Sequence, residues 1–390
     1  MNKRNIAIDM FRGLTMALMV FVNEFWKVYD VPHFLEHFDT LEDGMGVADV
    51  VFPMFLFAMG MSIPYALERR ISNGCSTLST LKHIISRSFA LLVMGAFICN
   101  QESRAMVGNR GLWVLLMVAG FFLVWNAYKP SFRYAKLLQW GGILLLAGLA
   151  LCYRTEDGGF FRAGWWGILG QIGWAYLFAS LAYLLCRDGR QWVLAALWGG
   201  LCLVNLTVAP MRNGETLLGG YTFLSDFTDA LHLGNGSIGI MALGGVLTSL
   251  AERRLAGRSM LRKVSVGVVA AAVLSLLAAS AHRGWIISKN LSTLPWCLYV
   301  SAVAVTLYTL LRVLEKHGLT SWSKPLSPAG TATLTVYMLP YLYTALWYFF
   351  DMSGPAWLCG WVGVAKSALL SATCVFLTWC LGKAGIKLKI

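Results

Sequence analysis

Apolar runs of membrane-spanning length recur along the whole chain. A run of about 20 apolar residues crosses the hydrocarbon core of a bilayer as an α-helix, and helices satisfy backbone groups that lipid cannot. The runs predict twelve helices, at residues 6–26, 47–68, 83–100, 111–128, 135–152, 165–186, 191–209, 236–251, 263–281, 291–312, 330–350 and 356–382. We therefore expect an all-α, polytopic transmembrane bundle of about 10–12 spans, forming a single domain over residues 1–390.

Composition agrees with this pattern. Hydrophobic residues make up 57% of the chain and charged residues only 13%, whereas soluble domains carry about 25% charged residues. The net charge of +13 would suggest nucleic acid in a soluble protein, but here the charges lie mostly between apolar runs. The lipid bilayer, and not nucleic acid, is the expected partner. The nine cysteines lie mostly inside apolar runs without zinc spacing, which indicates small core residues.

The basic residues predict the orientation. With a cytoplasmic N-terminus, 23 of the 32 lysines and arginines fall on the cytoplasmic side and eight on the opposite side. This is the positive-inside bias of membrane proteins. Asp9 and Arg12 interrupt the first apolar run, and no small-residue cleavage site follows it, so a retained first helix is expected rather than a signal peptide.

Candidate chemistry lies in two long segments on the predicted outer side, 27–46 and 210–235. Long loops on a rigid scaffold often carry functional sites. His33 and His37 lie in the first segment among five carboxylates, and a histidine there suits general base chemistry. Each could equally be an ordinary solvated residue. No helical His-x-x-x-His pattern is present, so no metal is expected. Asp49 opens the second predicted helix, where it can act as an N-cap and also orient His37.

Other polar residues mark the predicted helix ends and one helix interior. Arg12 can pair with Asp9 or hold an anion entering from the cytoplasm. Asn23 can cap its helix or donate to an oxyanion. Lys289 opens the tenth predicted helix, as an interfacial lysine or as a positive spot for an acyl oxygen. Lys366, deep in the last helix, is a candidate with an unknown partner.

Several segments with a fixed order and spacing lie in the first 60 residues. They are Ile8-Asp9-Met10-Phe11-Arg12-Gly13, Val22-Asn23, Glu36-His37, Asp43-Gly44-Met45-Gly46-Val47-Ala48-Asp49-Val50-Val51-Phe52-Pro53 and Phe55-Leu56-Phe57-Ala58-Met59-Gly60. This pattern resembles the heparan-α-glucosaminide N-acetyltransferase family and its bacterial relatives of the DUF5009 type. The Asp-x-x-Arg-Gly start is also shared with broader transmembrane acyltransferases. The resemblance is patchy beyond residue 65 and faint beyond about 300.

The resemblance implies a membrane enzyme that uses acetyl-CoA as co-substrate and acetylates a sugar or glycan acceptor. It places the central catalytic histidine at His37 and the asparagine of the first family helix at Asn23. Lys289-Asn290-Leu291 followed by Thr293 looks like a later family motif, although Ser292 stands where the family has an aromatic residue. Arg12 would help hold the CoA phosphates, Asp49 would orient His37, and Lys289 with Asn290 would assist at the acyl or CoA end.

We expect the enzyme in a bacterial inner membrane with its active site facing the periplasm, since the chain shows no lumenal extension or sorting signal. The family makes a homodimer plausible, although nothing in these residues shows one. Three rival interpretations stay open: an O-acyltransferase of envelope polysaccharide, a secondary transporter and a structural membrane protein. The transporter is disfavoured because no internal repeat is evident. A direct transfer and an acetyl-histidine route are equally compatible with the sequence.

Overall fold

The computed structural model describes residues 5–102, 106–165, 167–218, 222–350, 352, 355 and 357–390. Lys3, Arg4 and Arg104, which entered the charge count, and positions 166 and 356 of two predicted helices lie outside these residues. Within the described ranges the chain forms fourteen α-helices. They are α1 (Ile6–Val22), α2 (Val47–Ser72), α3 (Thr77–Glu102), α4 (Arg110–Trp125), α5 (Ala135–Cys152), α6 (Ile168–Cys186), α7 (Gln191–Val208), α8 (Thr222–Ala230), α9 (Ser237–Arg254), α10 (Met260–Ala281), α11 (Leu294–Lys316), α12 (Ser327–Thr331), α13 (Thr333–Phe349) and α14 (Gly360–Lys383).

The predicted all-α bundle is confirmed, and each of the twelve predicted helices has a counterpart. Two further helices were not predicted. The amphipathic α8 lies within the outer segment 210–235, which was expected to be a loop, and the short α12 precedes α13. α1 ends at Val22, earlier than predicted, and continues as a 3-10 turn over Phe25–Lys27.

Nine helical segments of the described chain are long and apolar enough to cross a membrane. α4 is also apolar but shorter. The chain is therefore a multi-pass membrane protein, while the count of about 10–12 spans stays a prediction. Pro53 and Pro64 lie inside α2, and such prolines are tolerated in membrane helices because neighbouring groups satisfy the freed carbonyls.

The centre of the bundle is α2, which packs along α9 and also contacts α1, α6 and α11. The two helices approach closely at glycines. A Cβ atom at Gly60 would lie 2.0 Å from the carbonyl oxygen of Ala242, and one at Gly245 would lie 2.0 Å from that of Phe57. Small residues at such positions let membrane helices pack backbone against backbone. α5, α7 and α10 carry few buried residues and form the periphery.

Successive long helices alternate in direction, so the bundle has two faces. At the face where α1 begins, here called the terminal face, the C-terminal segment pairs with the end of α4, since Lys389 N–H donates to Trp125 O at 2.8 Å. At the opposite face, here called the histidine face, Gly360 N–H donates to Tyr29 O at 2.8 Å. The His37 loop and the loop before α11 both lie on this second face.

Candidate active site

The loop between α1 and α2 carries His37 to the start of α2. A 3-10 turn over His33–Leu35 precedes it, and the chain then crosses directly over Gly46, the N-cap of α2. A Cβ atom at Gly46 would lie 1.9 Å from the carbonyl oxygen of Glu36, so only glycine fits there without moving the backbone. This close crossing places His37 beside the first turn of α2.

The carboxylate of Asp49 holds the imidazole of His37 in place. Nδ1 of His37 lies 2.7 Å from Oδ1 of Asp49, and Oδ2 of Asp49 accepts the backbone N–H groups of Phe38 at 3.0 Å and Gly46 at 3.1 Å. The Asp49 side chain is only 2% exposed, while that of His37 is 47% exposed. A carboxylate can only accept, so in the neutral imidazole Nδ1 carries the proton and Nε2 has the lone pair.

Asp49 is not the N-cap of α2, as the sequence had suggested. The N-cap is Gly46, and Asp49 is the third helical residue, whose carboxylate reaches back to the N-cap N–H as in a capping box. The expected role beside His37 is compatible with this geometry because the second oxygen remains available to the imidazole. The backbone oxygen of Asp49 also accepts the indole N–H of Trp296 on α11 at 3.1 Å.

Lys289 approaches both the imidazole and the Asp49 carboxylate. Its Nζ is 3.0 Å from Nδ1 and 3.5 Å from Nε2 of His37, and 3.8 Å from Oδ1 of Asp49. Burial lowers the pKa of Lys289 below its ordinary value, and the Asp49 carboxylate opposes that change. Lys289 does not open a helix as predicted, because α11 begins only at Leu294. It lies in the preceding loop, which brings it across to His37.

This loop is bonded to the His37 loop by side chains. The amide of Asn290 donates to Phe38 O at 3.3 Å and to the Thr40 hydroxyl at 3.4 Å. The hydroxyl of Ser288 donates to Thr40 O at 2.9 Å. Asn290 therefore acts in this structure as a link between the two loops that carry His37 and Lys289.

Asp43 forms a second link between the same loops. Its carboxylate accepts Ile287 N–H at 2.9 Å, lies 2.8 Å from Nε2 of His282 and pairs with Arg212 at 2.7 Å. Burial alone would raise the pKa of Asp43, but the Ile287 N–H, His282 and Arg212 outweigh it and lower the pKa. Sequence reasoning assigned no separate role to Asp43, because its three partners lie far away along the chain.

Two cavities meet at His37 and Asn23, and both residues line both cavities. The larger, here called the outer cavity, has a volume of about 590 Å³. The smaller, here called the side cavity, has a volume of about 320 Å³ and is also lined by Lys289 and Asn290. Asn23 is the C-cap of α1, and capping is one of the two roles that the sequence analysis considered for it. Of the predicted residues, His37, Asn23, Asp49, Lys289 and Asn290 are therefore brought together.

Arg12 is not part of this group. It lines a third cavity of about 300 Å³, here called the inner cavity, towards the terminal face. The basic residues Arg12, Arg87, Lys387 and Lys389 line it. Tyr337 lines both the inner and the outer cavity and therefore lies between them.

Sequence reasoning missed the partner of Lys366. The Lys366 ammonium pairs with the carboxylate of Glu24, which is 3% exposed and also bonds Lys27 at 3.3 Å. Glu24 follows Asn23 and lines the outer cavity. The i,i+3 spacing of Glu24 and Lys27 was a visible signal, but nothing in the sequence joins Glu24 to a residue on α14.

Comparison with known proteins gives two kinds of match. The chain is 40% identical over 97 residues to heparan-alpha-glucosaminide N-acetyltransferase of Mus musculus and 38% identical over 98 residues to that of Homo sapiens. Each alignment covers 24% of this chain and only 13% of the relative. The model of the family described as "Domain of unknown function (DUF5009)" matches residues 4–204. Since this match covers more than half of the 390 residues, the chain belongs to the DUF5009 family.

Proposed function

We propose that this protein is a membrane acetyltransferase that moves an acetyl group from acetyl-CoA to the amine or hydroxyl of a glucosamine-type sugar or glycan. The observation that carries the proposal is the position of His37, which is bonded to buried Asp49 and lies in the wall shared by two cavities. The two relatives named as N-acetyltransferases support the reaction class.

His37 is the central residue of the proposed reaction. With Nδ1–H directed at Asp49, the lone pair on Nε2 is available to take the acceptor proton as general base, or to carry the acetyl group as nucleophile. Asp49 fixes the tautomer and stabilises the imidazolium that forms. In the first route, the acceptor atom forms its bond to the acetyl carbon, the carbon–sulfur bond breaks, and the proton on Nε2 passes to the departing sulfur.

Asn23 and Lys289 supply positive electrostatic potential near the same atom. Asn23 lines both cavities beside His37, so its amide is a candidate donor to the oxyanion. The Lys289 ammonium is within 3.5 Å of both imidazole nitrogens and would stabilise a developing negative charge on the acyl or sulfur atom. Asn290 acts by holding the two loops together.

The inner cavity fits the anionic part of acetyl-CoA, which supplies the activated acetyl group as a thioester. Arg12, Arg87, Lys387 and Lys389 line it, and a cluster of cations favours the binding of phosphates. The thioester arm would have to pass Tyr337, which lines both cavities, to reach the outer cavity and His37. No metal is required for these steps.

The proposed orientation puts the terminal face in the cytoplasm of a bacterium and the histidine face in the periplasm. The support is the distribution of 23 of the 32 basic residues, together with the cytoplasmic origin of CoA. We also propose that residues 1–390 act as one domain, since His37 and Lys289 from distant parts of the chain share one site. A homodimer stays a prediction from the family.

The test is turnover of acetyl-CoA by the purified protein in detergent, with glucosamine and hydroxyl-only sugars as trial acceptors. The matched pair is His37→Ala and His33→Ala. His33 lies in the same loop, stacks on Phe38 at 4.3 Å and bonds Glu42 at 2.6 Å, away from Asp49. We expect acetylated product from wild type and His33→Ala and none from His37→Ala. Full activity of folded His37→Ala would contradict the assignment, and uptake of substrate without any need for CoA would favour a transporter.

A further inference from the structure

Two turns with left-handed backbone lie beside the side cavity. Asn235 has a φ angle of 54° and Ser292 one of 52°, and these are two of the four non-glycine residues with positive φ in the described chain. This conformation costs free energy for a residue with a side chain, so it persists only where its surroundings hold it. Ser292 lines the side cavity, together with Lys289 and His37.

One buried side chain holds both turns. Asn205, on the membrane helix α7, is 0% exposed, and its amide nitrogen donates to Asn235 O at 2.8 Å and to Ser292 O at 2.8 Å. The side chain of Asn235 closes the arrangement by donating to Leu291 O at 3.3 Å. The two strained residues are thus joined through a single amide group.

The turn at Ser292 also carries Lys289. Ser292 N–H donates to Lys289 O at 2.9 Å, and the Ser292 hydroxyl reaches the same oxygen at 3.4 Å. The backbone of Lys289 is therefore fixed relative to Ser292, and its side chain extends from there to His37 at 3.0 Å. A displacement of this turn would move the ammonium away from the imidazole.

We propose that Asn205 is a positioning residue that holds Lys289 against His37 through the left-handed turn at Ser292. This inference rests on the proposed acetyl transfer for its catalytic consequence. The contacts themselves do not depend on that function. A misplacement of about 1 Å in a catalytic group can cost about 100-fold in rate, so loss of Asn205 should lower kcat by about 10- to 100-fold. KM for acetyl-CoA should change little, because Asn205 does not line the inner cavity.

The first experiment measures Lys289 itself and needs no turnover. Full-length protein in detergent is treated with acetic anhydride at a series of pH values, and acetylation of Lys289 is followed by mass spectrometry. Burial lowers the pKa of Lys289, so the wild-type labelling profile should have a midpoint below the ordinary lysine value of about 10.4. In Asn205→Leu, which has similar size but no donor, the midpoint should rise towards that value.

The matched control is Asn100→Leu. Asn100 is also a buried asparagine of a membrane helix, and its side chain bonds backbone atoms of Arg162 at 2.6 and 3.1 Å. Neither residue lines the side cavity that Lys289 lines. Its loss should lower stability without moving the Lys289 profile. If Asn205→Leu does not fold, Asn205→Asp serves instead, since a protonated carboxyl can donate only one of the two bonds.

An unchanged Lys289 midpoint in a folded Asn205 variant would overturn the inference, and so would an equal shift in Asn100→Leu. The second experiment compares kcat and KM for acetyl-CoA. A fall in kcat alone supports positioning, whereas a rise in KM alone contradicts it. If wild-type protein transfers no acetyl group, the proposed function fails, but the labelling comparison still decides the role of Asn205.

Discussion

The carboxylate of Asp49 is shared between two tasks, since one oxygen binds Nδ1 of His37 at 2.7 Å and the other closes the first turn of α2. The imidazole is therefore fixed to the beginning of a rigid membrane helix, although it lies in a loop. A catalytic group gains precision when its support belongs to a regular element. The orientation of His37 should consequently depend on Asp49 more than on the rest of its own loop.

Replacement of Asp49 by asparagine tests this dependence. The amide keeps the shape but can donate to Nδ1, which favours the wrong tautomer, and we expect kcat to fall by about 10²- to 10⁴-fold. KM for acetyl-CoA should be nearly unchanged, because Asp49 is not in the inner cavity. Asp39→Asn, on an exposed residue of the same loop, is the control. A loss of less than threefold in Asp49→Asn would show that His37 does not need this carboxylate.

The inner cavity predicts a different kinetic signature. Arg12→Gln and Lys387→Gln each remove one of the four cations, and we expect KM for acetyl-CoA to rise about tenfold with little change in kcat. The effect should shrink as ionic strength rises, because salt screens the attraction. Lys383→Gln removes a charge that lies over the Trp379 ring and outside the cavity. Equal KM values in all three variants would place the CoA phosphates elsewhere.

Asp43 predicts a pH-dependent contribution to stability. Its pKa is lowered in the folded protein, so its contribution is present above the unfolded value of about 3.9 and is lost as the pH falls through the folded value. Asp43→Asn should therefore lower Tm at pH 7, and the difference from wild type should shrink below about pH 4. Thermal unfolding in detergent across this range measures it. A constant difference at every pH would assign the effect to packing rather than to charge.

Because Glu24 pairs with two lysines, we expect its loss to destabilise the protein more than the loss of one lysine. Glu24→Gln removes the carboxylate that both Lys27 and the partly buried Lys366 contact, whereas Lys366→Met leaves the Glu24–Lys27 pair intact. Breaking a buried ion pair by removing one partner costs about 3–5 kcal/mol. We expect Glu24→Gln to lower Tm more than Lys366→Met does. The exposed Glu215→Gln is the control for charge alone, and the reverse order of the two main variants would contradict the pairing.

Twelve of the fourteen described helices could be predicted because each is a long apolar run, and their alternation followed from the distribution of charge, whereas the short α8 and α12 carry no such run. Asn23, His37 and Asp49 could be assigned because they lie within one short, recognisable stretch. The contacts that hold Lys289 in place could not be predicted, since the loop before α11 is irregular. The contact between Lys289 and His37 also joins residues that are 252 positions apart. The same holds for Lys366 and Glu24, which are 342 positions apart. The role of Asn205 could not be predicted for another reason. A single asparagine in an apolar helix belongs to no sequence motif that would indicate a function.

The contact between His37 and Lys289 can form only late in synthesis of the chain. At synthesis rates of about 5–20 residues per second, the 252 positions between them correspond to about 10–50 s. During that interval His37 and Asp49 have left the ribosome, but the lysine and the indole of Trp296 have not. If the proposed function holds, we expect the nascent chain to transfer no acetyl group until the segment that carries Lys289 has entered the membrane, and a product truncated after α9 to consume no acetyl-CoA.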